Sequence, residues 1–138
     1  MISQQNVASM AIQFIKFGIV GVFGFIVDSS ALTIALKIFG LNPYAAAIVA
    51  FPCAATATWV GNRLFTFRDR RAAQGAMKAE WGRFMSVTLV GFLVNRGTYA
   101  GLITLSPTIY TYPILGLVGG TLVGMFINFF LSRRFVFR

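Results

Sequence analysis

Two charged side chains stand inside otherwise apolar stretches, Asp28 in a run from about Phe17 to Phe39 and Arg96 in one from about Phe84 to Leu105. Each lies about 16–18 Å along a helix from the start of its run, near the middle of a hydrocarbon layer about 30 Å thick. A charge at that depth costs roughly 3 kcal/mol on insertion scales, so neither is expected to face lipid. A guanidinium there suits a phosphate, and a carboxylate there can titrate or act as counter-ion. Two readings of the pair stay open. In one, Arg96 neutralises a phosphate or similar anion inside the membrane, with Asp28 as its partner when empty. Alternatively, the two form a permanent ion pair that only fixes helix register. Asn95 and Asn128 supply hydrogen bonds inside the bundle, chiefly as glue between helices.

A second group lies at the ends of apolar runs: Asn62 and Arg63, then Arg133 and Arg134. Guanidinium forks match phosphate oxygens bidentately, so these residues form a candidate paired anion site. Snorkelling to phospholipid head groups is the plainer reading. Arg68, Arg70, Arg71, Lys78 and Arg83 belong to the linker between runs and are expected to hold anionic lipid. Other chemistries lack their residues. The acids number three (Asp28, Asp69 and Glu80), there is no His, and Cys53 is alone. That leaves no zinc ligand set and no disulfide within the chain. Phosphate-loop and dinucleotide patterns are absent, so no cofactor and no enzyme activity are expected. The cations sit against apolar runs with no reader motif between them, and nucleic-acid binding is not expected.

The elements that position these residues follow from composition. Of 138 residues, 57% are hydrophobic and 11% charged, with mean hydropathy +0.78. A soluble domain carries roughly a quarter charged residues, so this chain cannot solvate its own surface. Four continuous apolar runs, about 17–39, 45–64, 84–105 and 114–131, approach the ~20 residues that a membrane-spanning helix needs. Continuous runs argue for helices, because barrel strands alternate. Asn42-Pro43 breaks the first pair, and Ser106-Pro107 with Tyr112-Pro113 brackets the turn of the second. Met1 to Gln13 lacks the basic region and long apolar run of a cleavable signal and is expected to lie along the interface. Ten of the twelve Lys/Arg fall on one side, which puts both termini and the central linker in the cytoplasm. Trp59 and Trp81 are expected in an interfacial belt on that side, with Tyr110 and Tyr112 on the other.

The halves resemble each other. Lys16-Phe17 to Asp28 aligns with Arg83-Phe84 to Asn95 at an offset of 67. Arg63-Leu-Phe-Thr-Phe-Arg68 aligns with Arg133-Arg-Phe-Val-Phe-Arg138 at an offset of 70. The expected fold is therefore an all-α integral membrane domain over residues 1–138, with four transmembrane helices in two parallel repeated hairpins. The repeats cover about 14–68 and 81–138, joined by a cytoplasmic loop at about 65–83. Gly116, Gly120 and Gly124 form a small-residue face on the fourth span, as Ala46, Ala50 and Ala54 do on the second. Such faces serve packing within the chain or assembly into a homo-oligomer. Pro52 is expected to loosen or kink the second span.

Three patterns resemble the GtrA-like family of small membrane proteins: Lys16-Phe17-Gly18-Ile-Val-Gly21, Asn62-Arg63-Leu-Phe-Thr-Phe67, and Asn128-Phe-Phe-Leu-Ser-Arg133-Arg-Phe-Val-Phe137. The resemblance implies a place in cell-surface polysaccharide synthesis at the inner membrane. It implies movement of polyprenyl-phosphate-linked sugars, with a membrane glycosyltransferase as partner and membrane lipids as surroundings. An accessory subunit that anchors or regulates the transferase is the alternative. A small proton-coupled cation exporter is the weakest reading, because Arg96 at the depth of Asp28 repels a cation.

Overall fold

A computed structural model describes residues 4–138 of the chain. The described residues fold entirely as helices and turns. Helix α1 (Gln4–Lys37) pairs with α2 (Pro43–Gly61), and α3 (Met77–Leu105) pairs with α5 (Pro113–Leu131) after the short α4 (Pro107–Thr111). The α1–α2 turn is made by local chemistry. Gly40 takes φ +62°, the left-handed conformation that ends helices. The Asn42 side chain then caps α2 by accepting the Ala45 N–H at 2.9 Å, with Pro43 at the first helical position. Ser106 and Pro107 open α4 in the same way.

Among the described residues, three helices are long and apolar enough to cross a membrane: Asn6–Lys37, Pro43–Thr66 and Pro113–Val136. The third apolar run of the sequence is α3, whose apolar character is diluted by Thr88, Asn95, Arg96 and Thr98. It lies antiparallel to α5 through small-residue contacts. Gly91 faces Asn128, Asn95 faces Gly120 and Gly124, and Tyr99 faces Gly116. The glycine face of α5 is thus consumed inside the chain and is not a surface for self-association.

The segment from Gln4 to Gln13 is helical and continuous with α1. Met10 in it and Phe14 just beyond it pack against the aromatic cluster, Phe14 stacking on Phe126 at 4.7 Å and meeting Phe129 edge-on at 5.2 Å, so this end of α1 is tied to α5. Residues 1–3 lie outside the described residues. Helix α2 runs through Pro52 without ending.

Helices α2 and α5 match closely. Both have 19 residues, both open on proline, and both run directly into a five-residue π-helical turn, Asn62–Thr66 and Ser132–Val136. Each turn closes on the following phenylalanine: Phe67 N–H donates to Asn62 O at 2.8 Å and Phe137 N–H to Ser132 O at 2.9 Å. The wider turn swings those rings inward, where they stack at 4.7 Å and 16°. Phe65 and Phe135, two residues earlier, stay exposed. Phe67 and Phe137 join Phe17, Trp59, Phe84, Val87, Phe129 and Val136 in one buried cluster at the π-turn end of the bundle.

Backbone approach is the constraint on the α3–α5 pair. A Cβ at Gly120 would sit 2.6 Å from the Asn95 carbonyl oxygen, whereas one at Gly97 would meet nothing within 4 Å. Gly120→Ala is therefore expected to destabilise the protein by about 1–3 kcal/mol, and Gly97→Ala to leave it unchanged or slightly firmer. Unfolding of the two variants in matched detergent, followed by circular dichroism, checks this.

Candidate functional site

The π-turn end gathers the polar chemistry. The Glu80 carboxylate is fully buried and every contact it makes is to a donor. Arg63 Nη1 donates to Oε1 at 2.6 Å, Trp59 Nε1 donates to the same oxygen at 3.0 Å, and Ala72 N–H donates to Oε2 at 2.6 Å. Arg63 Nη2 also donates to Ala72 O at 2.7 Å. One acid at the start of α3 thereby holds the end of α2, its π turn and the linker. The Arg63 pair is the only ion pair among the described residues. Two donors on one oxygen and a third on the other satisfy a carboxylate that would otherwise be prohibitive to bury.

This arrangement revises the candidate anion site. Arg63 is buried and engaged by Glu80 and Ala72, so it is not free to receive a phosphate. Asn62 is fully buried too; its Oδ1 accepts from Thr66 Oγ1 at 2.8 Å, and it shapes the π turn. Trp59 is a buried donor to Glu80, not a member of an interfacial belt. Trp81 reaches Thr56 Oγ1 of α2 at 3.0 Å.

Arg133 holds the position in the second π turn that Arg63 holds in the first. Its Nη1 donates to Gln13 Oε1 of α1. The partner here is a neutral amide, so the half-buried guanidinium keeps its net charge, and Arg70 stands near enough to repel it. Arg134 is exposed, with its guanidinium 5.9 Å from the Phe135 ring. Four predicted residues therefore do meet at one end of the bundle, but two are sealed by internal partners.

The mid-span residues do not come together. Asp28 lies one turn beyond Gly24, which abuts Thr58, and so occupies the face of α1 turned to α2. Arg96 is exposed on α3, with its guanidinium carbon 5.3 Å from the Phe92 ring. Equal depth does not give equal azimuth, so the expected Asp28–Arg96 pair is not made. Asn95 and Asn128 sit in the α3–α5 contact, as inter-helix glue requires, and the Oδ1 of each is buried without a partner.

Sequence reasoning missed Glu80. Its signal was an acid placed among Trp81, Arg83 and Lys78 in an otherwise basic linker, within reach of an arginine at a span end. Removing one partner of a buried pair leaves the other uncompensated and costs about 3–5 kcal/mol. Glu80→Ala is expected to lose that much stability, and Arg63→Met added to it should restore most of the loss. Detergent unfolding of the two single variants and the double one closes the cycle.

The geometry joins membrane-spanning helices to a basic end built on two π turns, Asn62-Arg-x-Phe-x-Phe67 and Ser132-Arg-x-Phe-x-Phe137. The family model described as GtrA/DPMS, transmembrane domain, matches residues 16–137, which takes in α1 from Lys16 onward, α2 to α5 and both π turns. Comparison with curated proteins gives no match. On a match over nearly its whole length, the chain belongs to the GtrA/DPMS transmembrane-domain family.

Proposed function

We propose that the protein moves polyprenyl-phosphate-linked sugars across the inner membrane, from the cytoplasmic to the outer leaflet, for surface polysaccharide synthesis. The observation that carries this reading is Arg96: an exposed guanidinium about two thirds along α3, inside its apolar run and without a carboxylate partner among the described residues. A cation held there costs roughly 3 kcal/mol unless an anion visits it, and a packing element alone has no use for it. A phosphate on a lipid is an anion that arrives at that depth in the course of crossing.

The same reading takes α3 as a fourth span, since it lies antiparallel to α5 along the glycine face. The 70-residue correspondence of α2 with α5 and of the two π turns then makes two parallel hairpins from one duplicated unit. With ten of twelve Lys/Arg at the π-turn end, that end and both termini lie in the cytoplasm. A membrane glycosyltransferase making the lipid-linked sugar on that side supplies the cargo. No bond is made or broken in the step assigned to this chain.

Purified protein in vesicles should carry a fluorescent polyprenyl-phosphate-sugar to the opposite leaflet, scored by protection from a membrane-impermeant reagent. Arg96→Ala should slow movement at least tenfold, equivalent to about 1.4 kcal/mol of barrier, with detergent stability preserved. Arg96→Lys should retain part of the rate. No protein-dependent movement from folded protein would overturn the reading in favour of a non-transporting transferase subunit.

A further inference from the structure

One stripe of α1 borders two adjoining cavities. Ser9, Gln13, Lys16, Ile19 and Phe23 follow one another at steps of three and four residues, which places them on a single helix face. Toward the π-turn end, this face and the residues after α2 enclose about 620 Å³ between Gln13, Thr66, Arg68 and Asp69. Farther along, α1 and α2 enclose about 740 Å³ walled by Ile19, Phe23, Ala57 and Val60. The first cavity is polar and the second almost wholly apolar. Lys16, Leu64 and Phe65 line both, so the two are continuous and Lys16 stands at the junction.

The electrostatics of the polar cavity depend on an asymmetry between the two arginine pairs. Arg63 and Arg133 are 70 positions apart, and their partners Gln13 and Glu80 are 67 apart, the same offsets that relate the rest of the two halves. Each arginine thus reaches the opposite half for its partner. On one side the partner is a carboxylate, and the pair is neutral and sealed. On the other it is Gln13, a residue that also lines the polar cavity. The uncompensated charge of Arg133 therefore lies one hydrogen bond behind the cavity wall and adds to Lys16 and Arg68. Both of these are exposed and form no side-chain hydrogen bond or ion pair among the described residues.

We propose that these joined cavities are the docking site for the carrier lipid in the cytoplasmic leaflet. The isoprenoid chain lies in the apolar groove, the phosphate sits on Lys16 and Arg68, and the sugar enters the polar cavity. There the exposed Asp69 can accept hydrogen bonds from its hydroxyls. Charge complementarity at one end of a single apolar channel selects a one-chain lipid phosphate. A free anion has no use for the groove, and a neutral lipid has no use for the cations. The proposal rests on the transport reading for its substrate, but it concerns binding and is tested apart from movement.

Full-length protein in phosphatidylglycerol-containing vesicles is photolabelled with a polyprenyl phosphate bearing a diazirine in its chain, and the labelled residues are mapped. Labelling is expected along Ile19–Phe23 and Val60–Leu64. Lys16→Gln combined with Arg68→Gln should lower it at least tenfold. Gln13→Glu should lower it several-fold while preserving the fold, because the new carboxylate can take Arg133 as Glu80 takes Arg63; it stands in if the double variant misfolds. Arg96→Ala should label fully and fail only in movement. Labelling here without any movement would leave the site standing and remove the transport reading. Labelling on α3–α5 instead, equal competition by uncharged polyprenol, suppression by the host phosphatidylglycerol, or indifference to the charge substitutions would overturn the proposal.

Discussion

Everything at the polar end of this molecule depends on one buried carboxylate. Glu80 is fully enclosed, and its two oxygens bind the guanidinium of Arg63, the indole of Trp59 and the backbone of Ala72. Buried ion pairs seldom add net stability over well-packed apolar groups, so the pair matters for register more than for energy. It sets the level at which α3 departs relative to the end of α2. That level brings the π turn of residues 62–66 beside the turn of residues 132–136, and the stack of Phe67 on Phe137 follows. The aromatic cluster then closes the two hairpins together at this end. Farther along, the burial is within hairpins: Ala46 and Ala50 in the first, Gly116 and Gly120 in the second.

Lipid makes part of such a fold legible from sequence. Backbone groups must bond within the helix, so apolar runs and their polar breaks mark where the helices turn, although α1 and α3 begin well before their apolar runs, at Gln4 and Met77. Asn42-Pro43 and Ser106-Pro107 are caps whose chemistry is local, and both act as their sequences say. The glycine spacing of α5 announces close backbone approach, though not whether the neighbour is α3 or another copy. What stayed hidden depends on azimuth and on contacts distant in sequence. Asp28 and Arg96 have matching depth, yet one looks at α2 and the other lies exposed on α3, and nothing in a linear count distinguishes these. Glu80 reads as a solvated linker acid because its partner lies 17 residues back, beyond a π turn. Trp59 reads as an interfacial ring for the same reason.

The π turns show why a short motif carried more than its length suggests. An ordinary helical turn would place Phe67 and Phe137 a residue earlier in rotation. The extra residue per turn rotates both rings into the bundle and leaves Phe65 and Phe135 outside. Alternating Phe is thus a device for filling the core with one ring while offering the other to lipid. The small polar residue that opens each turn, Asn62 or Ser132, is fully buried and accepts the closing backbone bond through its carbonyl.

The two turns are alike in backbone and unlike in charge, and that difference divides labour between the halves. A carboxylate opposite Arg63 neutralises it, dries it and fixes the fold. An amide opposite Arg133 holds the guanidinium in place through a hydrogen bond but leaves its charge in play. Were both partners acids, the end of the bundle would be doubly locked and would offer an anion little attraction. Were both amides, two half-buried cations would repel across the closed end, with nothing to secure α3 against α2. One of each gives a bundle anchored on one side and electropositive on the other. The electropositive side is the one where α1 carries Lys16 into an apolar groove.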